Sequence, residues 1–580
     1  MLFDKIVRDL SIDRVMEDTR FLTEETPMRL AGSDMERKAA NYIKAQFDAA
    51  GVAMTVEEID GYVSFPHSAS VEVISPVRRT LKARAFAQAQ PTPPEGLEAE
   101  LVHVGSGGLP DYEGVDVRGK ITLSELSYAP ARPEKVRLAT LNGSVGQIMM
   151  NWGLPEHNTI PMGTCKAVWG NPSSATFSQM PQIPAIGISR ADGDWLAALA
   201  KEGPVKVRIF CDVENRWGKI LMPHAQIDGA VEPEKFVLVA GHFDAWAGGA
   251  TDNASGNAQI IELARVIKQH EGMLRRSVRF AFWPAHESGI MEGSSWYVDR
   301  YWDDLTRNCV CALNIDSAGM IGATEFQTDC SPELVDMHRK LIEKVLGIAG
   351  HKTRPLAHNG DQSFFGIGLP SLFAAHEHPE ETKKLWNGAS LGWWYHSEFD
   401  QMDKIDPKIL FEGLRMSSAY VAELATVEVL PFDFAPAVER IETRIRELSS
   451  YDVGIDLASV AAGISTLKER AMALRAVGLS LAGANDPERT ARYNDVLRRF
   501  SRMLTSVTGS VGGRWTQDTY ALSALDTPLP GLFDIPKMAA QGTESAYYKL
   551  QWTDTVRQRN RIADGLTETN EMLAGYLDAA

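Results

Sequence analysis

The chain has 580 residues, 44% hydrophobic and 23% charged, the texture of an ordinary soluble protein too long for a single core. Its net charge of −17 argues against nucleic acid and anionic membrane surfaces as general partners, since both need basic patches. Five cysteines without CxxC spacing argue against a disulfide framework and for a reducing compartment.

In chain order, "MLFDKIVRDLSIDRVMEDTRFL" reads as an amphipathic helix with acids mixed in. It lacks the apolar stretch and cleavage site of a secretory leader, and no apolar run has the length of a membrane span, so a cytoplasmic protein is expected. "DMERKAANYIKAQFDAAG" is a second helix stopping at Gly51, and "VAMTVEEID" a strand. Between 64 and 225, short β-like runs such as "SVEVI", "KITLSEL" and "VKVRIFCDV" alternate with Gly/Pro turns, marking a β-rich module. Its "GSGG" lacks the Lys and following helix of a phosphate loop and reads as a turn. From 226 to 430 strands and helices alternate, the pattern of an α/β fold with a mixed, mostly parallel sheet flanked by helices. From 431 the sequence is helical and predicts a bundle. The expected organisation is therefore a catalytic unit from 1–63 and 226–430, an inserted unit at 64–225, and a helical unit at 431–580.

The chemistry-bearing residues sit at predicted strand ends, where α/β enzymes keep their sites. "GHFDAW" gives His242 and Asp244, "GATDNASGN" gives Asp252, and "PAHESG" gives His286 and Glu287. "NIDSAG" gives Asp316, and "WYHSEFDQMDKID" gives Tyr395 and His396. Imidazole and carboxylate are ordinary donors for zinc-type ions. Two such ions need a bridging carboxylate, two terminal histidines and two further acids, which this set supplies. Taken singly, Asp252 reads as a helix cap, Asp316 as a turn residue and His396 as a core histidine; the joint pattern at corresponding strand ends favours a site.

"VAGHFDAWAGGATDNASGNA", "FAFWPAHESGIMEGSSWY", "LNIDSAG" and "WYHSEFDQMDKID" resemble the co-catalytic zinc aminopeptidase family that includes glutamate carboxypeptidase II and the transferrin receptor. The resemblance covers nearly the whole chain. Segment 64–225 resembles that family's protease-associated apical domain, and the C-terminal helices resemble its dimerisation domain, which implies a homodimer. The resemblance implies two zinc ions per chain. His242 and His396 would be the terminal ligands, Asp252 the bridge, Glu287 a ligand of one metal and Asp316 of the other. Asp244 would orient His242, and Tyr395 would lie near the substrate. Asp361, in "HNGDQSFFGIGLP", is a candidate for the site rim; His358 lies in the same stretch. The loop "AAHEHPE", with His376 and His378, reads as polar connection rather than site.

One position departs from the pattern. Hydrolytic members of that family carry a glutamate general base before the ligand glutamate, and here His286 stands there. The turn "GIMEGS" is also one residue longer than usual, which raises Glu292 as a substitute base. A glutamate base goes from −1 to 0 on taking a proton, whereas a histidine goes from 0 to +1 beside two dications. At an effective dielectric near 20, a unit charge about 4 Å away costs roughly 4 kcal/mol before the ligand carboxylates compensate. Neutral imidazole, with an ordinary pKa of about 6.5, remains a competent base. The leading expectation is a metallohydrolase cleaving an amide or peptide bond in a small molecule or short peptide. A lyase or atypical hydrolase using His286 as acid/base is the second reading, and a non-catalytic binding protein the third.

Overall fold

The computed structural model describes residues 1–356 and 360–579. Thirteen strands form one connected sheet system. They are β1 (Met54–Ser75), β2 (Arg79–Ala85), β3 (Leu97–His103), β4 (Ile121–Glu125), β5 (Gly146–Met150), β6 (Ala185–Ile188), β7 (Val205–Ile227), β8 (Glu232–His242), β9 (Arg276–Trp283), β10 (Cys309–Asn314), β11 (Glu325–Cys330), β12 (Arg354–Pro355) and β13 (Ser371–Glu377).

The catalytic sheet runs β7-β9-β8-β10-β13-β11-β12. Its centre, β9-β8-β10-β13, is parallel, with antiparallel strands toward the edges, β7 against β9 and β11 against β13. The central strands are buried on both faces: Phe236, Val237, Leu238 and Val239 of β8 and Phe280–Trp283 of β9 are all fully enclosed. That is why they read as continuous apolar runs rather than alternating ones. Helices Asp34–Ala49, Ser255–Gln269 and Pro407–Thr426 supply the apolar surface that covers the sheet.

The inserted unit closes on itself. The order β1-β2-β6-β5-β4-β3-β7, with β1 paired again to β7, makes a ring around its own core of Ile121, Leu123, Ile148, Ile186 and Ile209. The joins expected near 63–64 and 225–226 are not linkers. The β1–β7 ladder runs from Met54↔Ala225 to Ser75↔Lys206, so two continuous strands carry the ring on the catalytic sheet. The C-terminal part is helical over Ala435–Leu448, Ala458–Leu481, Pro487–Thr508 and Ala546–Leu577. Helix Ala458–Leu481 buries Val460, Ile464, Leu467, Ala471, Leu474, Gly478 and Leu481, the stripe that helical periodicity dictates. Among the described residues, no helix is long and apolar enough to cross a membrane.

Candidate metal centre

The parallel strands β8, β9 and β10 end side by side, and their C-terminal loops, with His396 from the segment before helix Pro407–Thr426, bring the acids and histidines into one group. His242 Nε2 lies 3.0 Å from Asp252 Oδ1 and 3.4 Å from Asp316 Oδ1. His396 Nε2 lies 3.1 Å from Asp252 Oδ2 and 3.0 Å from Glu287 Oε1. Asp252 thus stands between two half-sites, with one oxygen toward each. Tetrahedral ligands about 2.0–2.1 Å from zinc are separated by about 3.3 Å, which is the spacing of these pairs. Asp252 Oδ2 is buried without a hydrogen-bond partner, although His396 is near. An acceptor left over in this way fits a divalent cation.

The surroundings orient the donors. His242 Nδ1 is 3.0 Å from the Asp244 carbonyl, and His396 Nδ1 is 3.2 Å from the Met162 carbonyl, so in each ring Nδ1–H donates and Nε2 is the nitrogen whose lone pair a cation would take. Asp244, expected to orient His242 with its side chain, does so mainly through its backbone. Its carboxylate, 3.6 Å from Nδ1, accepts instead from the amides of His286 and Glu287. Trp246 Nε1 donates to Glu287 Oε2. Asp400 accepts from Thr251 and from the Asp252 amide. Fully buried Arg29 donates to the carbonyls of Leu22, Phe243, Gly248 and Gly249, clamping the loop after β8.

Charge organises the group. Burial disfavours an ionised His242, but Asp316, Asp244 and Asp252 outweigh it and hold the ring well above its ordinary value. Burial also opposes ionised Asp252, and His242 and His396 overcome it and drive that carboxyl well below the usual range. Three buried carboxylates here require compensating positive charge, from imidazolium or from cations.

His286 lies against His242, ring centroids 3.9 Å apart and nearly parallel. Its Nδ1 is 2.9 Å from Asp361 Oδ2. Asp361, expected at the rim as a substrate contact, is instead 2% exposed and sits behind His286. Ser294 donates to its other oxygen, and Ser363 contacts Ser294. A carboxylate only accepts, so Nδ1 carries a proton, and in the neutral ring the other nitrogen holds the lone pair. Burial and His242 both disfavour the imidazolium of His286; Asp361 and Glu287 outweigh them and raise its pKa to about 9 with the centre free of metal, and cations held beside it would favour the neutral ring that the lone pair requires. His286, His242 and Asp316 each offer a donor atom within 4.8 Å of the others.

Glu292, raised by the sequence as a substitute base, is held in an ion pair. It is fully buried, paired with Lys166 Nζ at 2.9 Å, and accepts from the Tyr62 amide. It ties β1 and the inserted ring to the catalytic unit. His376 and His378 are buried away from the centre, near Glu412 and the Ile321 carbonyl respectively. His358 lies outside the described residues.

Two further groups reach the centre from distant parts of the chain. Arg132, in the inserted unit, bonds the Thr164 carbonyl and approaches His396 Nδ1 to 3.5 Å, and among the described residues it pairs with no carboxylate. Tyr520, from the C-terminal part, joins Tyr395 beside it. Burial, and then the carboxylates of the centre, raise both phenols, and neither hydroxyl makes a hydrogen bond among the described residues. Neither Arg132 nor Tyr520 lies in a motif. The tyrosine before His396 was legible only because it adjoins a ligand candidate.

Comparison with known proteins gives a family match. Residues 224–421 match the model of Peptidase family M28. The chain is 25% identical over 504 residues to "Probable glutamate carboxypeptidase VP8" of Zea mays, covering 75% of this chain and 70% of that one. It is 25% identical over 429 residues to "Aminopeptidase YwaD" of Bacillus subtilis, covering 71% and 84%. A solved peptidase M28 precursor from Shewanella amazonensis superposes with a TM-score of 0.59 at 22% identity, covering 74% of this chain and 96% of that one, a likeness of fold.

Proposed function

This chain belongs, through residues 224–421, to peptidase family M28, and on that premise we propose that it is a metal-dependent peptidase acting at the carboxylate end of a small substrate. The observation carrying the second half of this reading is Arg132, a guanidinium beside His396 with no carboxylate partner among the described residues. With the unbonded hydroxyls of Tyr395 and Tyr520 nearby, it offers a donor set suited to an anionic terminus. An ammonium terminus needs a carboxylate, and those facing this space are engaged: Asp252 and Asp316 with His242, Glu287 with His396 and Trp246, Asp361 with His286.

His242 and Asp316 would hold one zinc ion and His396 and Glu287 a second, with Asp252 shared. Zinc held by these donors supplies Lewis acidity toward a carbonyl and toward water. Arg132 and the tyrosine hydroxyls anchor the substrate. Asp361 keeps the His286 proton on Nδ1, so the other ring nitrogen accepts the proton of the attacking water. The same nitrogen then returns that proton to the leaving amine. The imidazolium formed between these steps is stabilised by the Asp361 carboxylate 2.9 Å away, offsetting the penalty a lone histidine meets here.

Turnover of a dipeptide against its C-terminal amide tests the anchoring. The free acid is expected to be the better substrate, and Arg132→Met to raise its KM at least tenfold, about 1.4 kcal/mol or more, while removing the preference for the acid. Equal turnover of acid and amide by the unaltered protein would contradict this reading.

The reading includes a homodimer formed through the C-terminal helices, supported by Met472 and Leu479, which are 62% and 72% exposed on helix Ala458–Leu481. A monomeric mass by sedimentation at micromolar protein would remove it. It also includes a cytoplasmic setting, supported by five cysteines that are all free and buried.

A further inference from the structure

At the far end of the catalytic sheet a cavity of about 610 Å³ opens between the start of β8, the end of helix Trp302–Asn308 and helix Pro487–Thr508. Lys235, Arg307, Arg498, Arg499, Arg502 and Arg514 line it, against one carboxylate, Asp495. That is a net charge of about +5 in a chain whose total is −17. Arg498 is only 9% exposed; it pairs with Asp495 and bonds the Arg307 carbonyl. Lys235 approaches the same Asp495 at 3.6 Å. Arg307 and Arg514 reach acids outside the cavity, Asp303 and Glu568. Arg499 and Arg502 pair with no acid among the described residues.

This is a costly arrangement for the protein alone. Burial and then Arg514 and Arg499 disfavour the charge on Arg502, and burial and then Arg498 disfavour that on Lys235. Like charges packed around an open cavity are relieved by an anion that fills it. Guanidinium groups offer paired donors at the spacing of phosphate oxygens. A single phosphate would neutralise under half of the excess charge. The volume lies within the roughly 300–1,000 Å³ of small-molecule sites.

We propose that this cavity binds a small molecule bearing two or more phosphate groups. It is a separate site from the candidate metal centre. Lys235 precedes His242 by seven residues on one strand, about 23 Å at 3.3 Å per residue. Occupied, it would fasten helix Pro487–Thr508 to the start of β8, the strand that leads to His242.

The test is calorimetric titration of pyrophosphate, tripolyphosphate and orthophosphate into the zinc-loaded protein at 150 mM salt. The expected result is saturable binding of one pyrophosphate or tripolyphosphate per chain, with orthophosphate at least tenfold weaker. Arg499→Gln/Arg502→Gln should weaken pyrophosphate at least tenfold. Both side chains border open space, so the variant should fold, keep its peptidase turnover, and show a Tm no lower than the unaltered protein. Absence of saturable binding would overturn the proposal. So would binding undiminished in the variant, which would assign the anion to the metal centre. A variant that dissociates, from a parent that binds no pyrophosphate, would instead assign the basic cluster to contact between chains.

Discussion

Replacing His286 by alanine is expected to lower kcat by roughly 10²–10⁴-fold, the usual contribution of a positioned general base, with metal content unchanged. Two features of the ring set this effect. The ring lies 3.9 Å from His242 but is bonded to Asp361 rather than to another candidate metal ligand. Asp361 is buried with its oxygens taken by His286 and Ser294. Asp361→Asn should therefore lose much of the same rate, because an amide no longer fixes the tautomer or stabilises the imidazolium. His286→Glu, which installs the residue usual at this position, should not restore turnover alone. The new carboxylate would face Asp361, and two like charges about 4 Å apart repel by about 4 kcal/mol at an effective dielectric of 20. The double variant His286→Glu/Asp361→Asn removes that repulsion and should recover part of the lost rate. Steady-state kinetics with metal analysis reads all four proteins. Full turnover in His286→Ala would remove histidine from the mechanism.

The second large effect is expected at Asp252. Its oxygens lie 3.0 Å from His242 and 3.1 Å from His396, so one side chain would serve both proposed half-sites. Asp252→Ala should reduce bound zinc from two ions per chain to one or none and lower turnover at least 10³-fold, about 4 kcal/mol. The loop itself should stay in place. Arg29 holds the carbonyls of Phe243, Gly248 and Gly249, and Asp400 holds Thr251, none of which depends on the Asp252 side chain. Zinc counted by elemental analysis, beside a thermal melt, checks this. Two ions retained at unchanged affinity would show that Asp252 does not bridge.

Much of this was readable from the sequence, for physical reasons. Doubly buried parallel strands are written as apolar runs such as "FVLVAGH" and "SVRFAFW", and a polar residue at the end of such a run marks a strand end. His242, Glu287 and Asp316 were found in that way. Asp400 lay within reach: it is four residues after His396, in a stretch already singled out. Other partners left no trace. The carbonyl of Met162 orients His396, but any residue supplies a carbonyl. Arg132 and Tyr520 reach the centre from units separated from it by more than a hundred residues, and one arginine or tyrosine carries no spacing to read. Asp361 was singled out for its neighbourhood and misplaced at the rim. A loop acid looks the same in sequence whether it meets solvent or a buried histidine. Glu292 reads as a candidate substitute base, because its partner Lys166 lies 126 residues upstream and leaves no local signal.

The most direct test of the account is isotopic. The zinc-loaded protein would be incubated in ¹⁸O-water with a panel of dipeptides and N-acyl amino acids, and the products read by mass spectrometry. The account predicts a free amine, and a new carboxylate carrying one ¹⁸O, for substrates that end in a free carboxylate. Products without the label, or no turnover by protein holding two ions, would contradict peptide hydrolysis at this centre.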